Sequence, residues 1–381
     1  MLLPSPKTSK PHLSRPSRRY WVLQGVALAL PLLTLLLFQL CKGNRSIMDA
    51  FLTHVTAPWK RFFSWLLDPL PFSVAEVCWA AAILGLIIFL IRTVWLLVRR
   101  EDRLRRLVRR LLALITAALW IAGGFTALWG ANYYGSTFSQ RSGLTARGAT
   151  ADELYTLTIS FAAAASELSD QVSRDENGVF NEEVSGLFAR SEGIYDGILE
   201  EFPCLSGPER TPKPMLFSRL MSYLGFTGFF FPFTGEANLN VDAPRALLPA
   251  TIAHELAHQR GVAAEQEANF VAILTGLRSD DPAYRYSSAL MGYIHLSNAL
   301  YSASYEKWSQ TGGYLNEQVR ADLSDNRAYW QQFETPVETA AEAVYDNFLQ
   351  TYGQELGMQS YGACVDLLVA YYFDWRCIGN E

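Results

Sequence analysis

ATIAHELAHQRGVAAEQEANF, residues 250–270, holds two of the chain's five histidines, with a glutamate directly after the first. His254 and His258 are four positions apart. On a helix that spacing puts both on one face, so both imidazoles can aim at one metal ion about 2 Å away. Glu255 is offset by one position, beside such an ion rather than on it. A carboxylate there can take the proton from a metal-bound water as the water attacks a carbonyl. The opposed reading is a polar surface helix with incidental histidines.

H-E-x-x-H on a helix is the arrangement of zinc peptidases. The flanks predict a helix over 243–260: Asp242 can cap it, Pro244 suits its first turn and Gly261 its end. Ala253 and Ala257 allow close neighbours. A second helix is predicted over 264–278, and it offers the third ligand for one zinc ion. Glu265 and Glu267 are about 200° apart around its axis, so only one can face the metal. Glu265 is chosen, because Asn269 stands four positions on and shares its face, where an amide can orient the ligands. The short link from His258 to Glu265 then requires a sharp turn at Gly261, which glycine tolerates best. Glu267 is left as a solvated or salt-bridging carboxylate.

Charge divides the chain. Residues 1–130 carry 17 Lys+Arg against 5 Asp+Glu, and the remainder 15 against 32. Net charges of +12 and −17 sum to the overall −5. So acidic a body excludes a nucleic-acid binder. The basic head holds three apolar runs, at about 21–40, 73–98 and 111–130, each long enough to cross a bilayer. The first is too long for a signal-peptide core and no A-x-A site follows it. Glu76 and Arg92, near opposite ends of the second run, are placed to snorkel. Lys7, Lys10, Arg15, Arg18 and Arg19 precede the first run, and seven arginines fill 99–110 between the second and third. The loop over 41–72 has only four basic residues. The positive-inside rule then makes 1–20 a cytoplasmic tail, 21–130 a membrane domain and 131–381 a domain outside the cytoplasm. The arginine run reads as a topology anchor.

The outer part reads as one mainly helical α+β domain. Helices are predicted over 149–172, 286–308 and 337–353, with a β-like segment near 229–240 and a final apolar stretch over 365–373. Cys41 and Cys78 belong to the membrane part. Cys204, Cys364 and Cys377 fall in the domain, where spacing does not establish a bridge.

HELAH followed by EQEAN resembles the gluzincin pattern, H-E-x-x-H with a downstream Glu-x-x-Ala-Asp. The wider FPFTGEANLN, HELAHQRG and EANF blocks resemble the domain-of-unknown-function 3810 family of bacterial membrane proteins. WGANYY (129–134) and YDNFLQTYGQELGMQSYGACVDLLVAYY (345–372) extend the match over most of 129–374. The resemblance implies a zincin-like domain on three transmembrane helices, with zinc on His254, His258 and Glu265 and peptide or protein as substrate. Asn269 departs from the pattern's aspartate, so its support of a ligand carries no charge. The resemblance also implies a substrate-holding edge strand upstream, at Gly235, Glu236, Ala237 and Asn238; the alternative for that stretch is an apolar loop against the membrane. His295, with Tyr293 and Tyr301 nearby, is a candidate to stabilise the oxyanion. Two functions are thus expected. One is a membrane endopeptidase with Glu255 as general base. The other is a zinc-containing sensor or scaffold that binds an envelope ligand without turnover. Glu255 favours the first, since a binding module needs no base, and the cytoplasmic segments are too short for effector domains.

Overall fold

The computed structural model describes residues 18–99, 102–208, 210–352 and 361–375. Lys7, Lys10 and Arg15 of the tail, Arg100 of the arginine run and Cys377 lie outside the described residues. Helix α1 (Arg18–Cys41) leads through α2 (Arg45–Phe51) and α3 (Ala57–Leu67) into α4 (Val74–Arg99) and α5 (Arg103–Leu128). Helices α1, α4 and α5 are long and apolar enough to cross a membrane, and they make this a multi-pass membrane protein. Their leucines, isoleucines and valines stay largely exposed, the signature of helices whose solvent is lipid. Gln24 donates to Thr116 at 2.8 Å and Trp120 to the Ala27 carbonyl at 2.9 Å, pairing α1 with α5.

Two expectations about this head are corrected. Helix α5 starts at Arg103, not 111, because Leu104, Leu107 and Val108 continue its apolar face through the arginines. The stretch over 41–72 is not an open loop but is folded into α2 and α3. Helix α3 is amphipathic with its faces reversed for a soluble protein: Trp59, Phe62, Trp65 and Leu66 are exposed, and Lys60 and Ser64, with Thr56 just before the helix, are buried.

The domain continues through α6 (Phe138–Ser142), α7 (Ala151–Leu168), α8 (Val184–Ala189), α9 (Asp196–Leu199), strand β1 (Lys213–Pro214) and α10 (Ser218–Tyr223). Strands β2 (Gly228–Phe231) and β3 (Glu236–Leu239) follow, then α11 (Leu248–Gln259), α12 (Glu265–Arg278) and α13 (Pro282–Ala303). Helices α14 (Tyr305–Thr311), α15 (Glu317–Gln331), α16 (Pro336–Thr351) and α17 (Tyr361–Val369) complete it. The core lies among α7, α11, α12, α13 and α17, where Phe161, Phe270, Ile273, Tyr286, Leu296 and Leu368 are buried. Each such apolar side chain contributes about 1.5–3 kcal/mol.

Local chemistry explains the boundaries. Thr150 and Glu153 form a capping box that starts α7. Asp281 caps α13 and Pro282 occupies its first turn, so that helix begins four residues before the predicted 286. It ends at Ala303, and Ser304 caps α14 separately. Helix α15 was not predicted, because it buries only Val319 and Asp322 and so shows no apolar stripe. Asp322 is fully buried and takes Arg174, the Phe180 amide and the Tyr286 hydroxyl.

The sheet order is β1-β3-β2, with β3 parallel to β1 and antiparallel to β2. Strand β3 is therefore central and fully buried, and the substrate edge expected at Gly235, Glu236, Ala237 and Asn238 is not an edge. These residues anchor the sheet to the membrane part instead. Glu236 accepts the Val74 and Ala75 amides at 3.1 and 3.0 Å, and Asn238 accepts the Ser73 hydroxyl at 2.7 Å. A carboxylate at a helix N-terminus satisfies its unpaired amides and its dipole together. Glu76 answers from the other side: it accepts the Leu216 and Phe217 amides at 2.9 and 2.7 Å. It is buried, not snorkelling. The start of α4 and the sheet are thus latched by two reciprocal carboxylates.

Candidate metal centre

Helix α11 starts later than predicted. Its first residue is Leu248, with Pro249 in the first turn, after a 3-10 turn over Arg245–Leu247. Asp242 does not cap it; that carboxylate holds Arg219 at 3.0 Å and the Tyr329 hydroxyl at 2.5 Å. The C-terminal end is the predicted one. Gly261 has φ +86°, the Val262 amide donates to Ala257 at 3.1 Å, and the Gly261 amide to His258 at 3.0 Å. This is the Schellman turn, and its left-handed residue suits glycine.

That turn does two things for the site. It reverses the chain so that α12 opens with Glu265 facing α11. It also presents the Val262 carbonyl to His258, whose Nδ1–H donates to it at 2.7 Å. The Nε2 of His258 is thereby left as the lone-pair atom. Glu265 Oε2 stands 3.2 Å from His254 Nε2, and Oε1 stands 3.6 Å from His258 Nε2. Ligand atoms of all three residues lie within 4.8 Å of one another. Donors about 2.0–2.1 Å from a tetrahedral ion are about 3.3 Å apart, so this set could hold one zinc-sized cation. The charges agree. Burial alone would raise the Glu265 carboxyl, but the two imidazoles outweigh it and hold it well below its usual range. Burial alone would lower His258, but Glu265 outweighs it and holds the ring up to about 9.

The cluster borders a cavity of about 460 Å³. Glu255 lines it, 3% exposed, and its Oε2 has no hydrogen-bond partner among the described residues. Burial pushes this carboxyl up to about 7 against the pull of His254 and His258. Opposite it is β2. A Cβ on Gly228 would stand 2.7 Å from Glu255 Oε1, so only glycine lets the strand approach this closely. Asn240 donates to the Thr227 carbonyl at 2.9 Å, in register with the β2–β3 ladder. The antiparallel alternation then turns the main-chain groups of Gly228 and Phe230 away from β3, along the outer edge of the sheet. This edge, not Gly235–Asn238, lines the cavity.

The predicted His254, Glu255, His258 and Glu265 therefore meet at one place. Asn269 lines the same cavity, but no hydrogen bond joins it to either imidazole among the described residues. A hydrogen bond to one of the three candidate ligands comes from Tyr345, whose hydroxyl donates to Glu265 Oε1 at 2.7 Å. Burial, then Glu265, raise that phenol well above its usual value, so it stays a donor. Trp129 packs its ring edge-on against His258 at 5.3 Å between centroids. The YDNF and WGANYY stretches carried this signal, but no spacing rule assigned Tyr345 or Trp129 a role. His295 lines the cavity, and burial, then His254, hold its imidazole down at about 4. Tyr293 is in the core and Tyr301 is exposed, so neither reaches the site. Glu267 is not solvated, and no ion pair joins it among the described residues. It is buried and accepts the Phe138 amide at 2.7 Å, with the Ser139 amide and hydroxyl at 2.9 and 2.8 Å, at the start of α6. Cys204 and Cys364 are free thiols, and Cys364 is buried.

Fold and site define a multi-pass membrane protein with a mainly helical domain, in which two histidines and a glutamate share one buried cavity. The profile of a family described as Protein of unknown function (DUF3810) matches residues 52–369, and the chain belongs to that family. No curated protein and no solved structure matches it.

Proposed function

We propose that this chain is a membrane-anchored, zinc-dependent endopeptidase whose domain, 131–381, lies outside the cytoplasm. One observation carries the reading: a buried carboxylate, Glu255, with an oxygen unpartnered among the described residues, borders the cavity of the three candidate ligands. A site that only binds would gain nothing from it. Bound zinc supplies a Lewis acid for water and for a carbonyl. Glu255 accepts the proton of the attacking water and returns it to the leaving amine as the C–N bond breaks. The outer edge of β2 offers Gly228 and Phe230 to an extended peptide, main chain to main chain. His295, neutral and on the cavity wall, supports the role of donor to the oxyanion. The arginines between α4 and α5 support the orientation, since the positive-inside rule keeps them in the cytoplasm.

Glu255→Gln keeps shape and polarity but removes the base. The purified variant should retain zinc while peptide hydrolysis falls ~10²–10⁴-fold. Substrates come from comparing membrane and secreted proteomes of wild type and variant. Cleavage by the variant at the wild-type rate would sink the reading.

A further inference from the structure

A second cavity, of about 410 Å³, lies at the C-terminal end of α11. Lys60, Arg61, Arg141 and Arg260 line it against one carboxylate, Asp49. Asp49 is already engaged, accepting the Ser136 amide and hydroxyl at 2.7 Å each. Arg141 donates to the Cys204 and Gly261 carbonyls at 3.3 and 3.5 Å, and Arg260 stacks over the Tyr195 ring at 3.8 Å. Lys60 is in a different position. It is 4% exposed, and its ammonium faces the Phe230 ring at 5.5 Å with no hydrogen bond or ion pair among the described residues. Burial, then Arg141 and Arg61, push it down to about 8. A buried ammonium among guanidiniums is strongly unfavourable unless an anion joins them.

The surroundings say which anion. The wall of this cavity is α3, whose opposite face exposes Trp59, Phe62, Trp65 and Leu66. A helix with tryptophans outward and cations inward lies at a membrane surface, at headgroup depth. The Thr56 hydroxyl donates to the Ala127 carbonyl at 3.1 Å, which ties the start of α3 to the last turn of the third span. The cavity therefore stands where the bilayer ends.

We infer that this cavity binds the phosphate of an anionic phospholipid headgroup from the leaflet on the domain's side. Lys60 supplies the buried charge and Arg141 a guanidinium fork suited to phosphate oxygens. The acyl chains lie outside, along the aromatic face of α3. This does not depend on whether the neighbouring cavity hydrolyses peptides.

The test is native mass spectrometry of the full chain in zwitterionic detergent, titrated with phosphatidylglycerol, phosphatidylcholine or inorganic phosphate. Phosphatidylglycerol should stay bound at collision energies that strip phosphatidylcholine. Lys60→Met and Arg141→Gln should each lower its occupancy about tenfold, the scale of one charged hydrogen bond. Lys60→Arg should restore most of it. Equal retention of the two lipids overturns the inference, and so does phosphatidylglycerol binding that Lys60→Met leaves unchanged. Binding of inorganic phosphate that phosphatidylglycerol does not displace overturns it too.

Discussion

The last turn of α11 parts two cavities of opposite charge. On one side are Glu255, Glu265 and Glu342 with three histidines, and no lysine or arginine among the described lining residues. On the other are four cations and one occupied carboxylate. His258 faces the first, and Arg260, two residues later, lines the second. The groups of the first could hold a cation, and those of the second are the ones we infer to meet an anion. The contrast also separates two ways of assembling a site. The first takes its donors from one short stretch, residues 254–265, while the second gathers its cations from α3, the last turn of α6 and the end of α11.

The sharpest way to break that contrast is to remove a ligand. Glu265→Ala should lower zinc affinity roughly 100-fold or more, beyond the loss that removing an outer hydrogen-bond partner brings. Glu267→Ala should keep zinc but lose about 2–4 kcal/mol of stability, because a buried and a part-buried amide at the start of α6 lose their acceptor. Metal analysis with thermal melting of both purified variants separates the two glutamates. Zinc lost from Glu267→Ala and kept by Glu265→Ala would reverse the assignment.

A smaller effect is expected at Tyr345. Tyr345→Phe removes the hydrogen bond to Glu265 and should weaken zinc roughly 10–100-fold, whereas Asn269→Ala should change it little. Competition with a chelator of known affinity measures both, and equal losses would return Asn269 to the site.

A further effect, on stability rather than on zinc, lies in the cationic cavity. Lys60 binds its proton less tightly when folded than when unfolded, so the unfolded chain holds more protons between pH about 8 and 10.5. Stability in neutral detergent therefore rises with pH through that window. Lys60→Met should abolish the rise and raise the melting temperature at pH 7 by a few degrees, on the order of 1–4 kcal/mol. Melting curves that stay flat with pH in wild type would mean that Lys60 is already compensated.

What could be read in advance follows the same division. The spans, the H-E-x-x-H helix and the turn at Gly261 rest on neighbours within one or two helical turns, and periodicity exposes them. The choice of Glu265 leans also on the resemblance, and the Asn269 contact that argued for it is not formed among the described residues. The central place of β3 depends on β1, a two-residue strand with no pattern of its own. Tyr345 reaches Glu265 across 80 positions, and Glu267 reaches Phe138 across 129. The helix start moved from Asp242 to Leu248 because the Asp242 carboxylate found Arg219 and Tyr329, partners its own helix could not predict. The cations of the second cavity are ordinary surface residues until the chain folds.

The two carboxylates that latch α4 to the sheet have a mechanical corollary. Glu236 and Glu76 fasten the first turn of a 26-residue span to strand β3 and to the chain after β1. Such a rod is about 39 Å long at 1.5 Å per residue. The same sheet carries, on the outer edge of β2, the rim opposite Glu255. One continuous path of hydrogen bonds therefore joins the end of a span to the wall of the cavity.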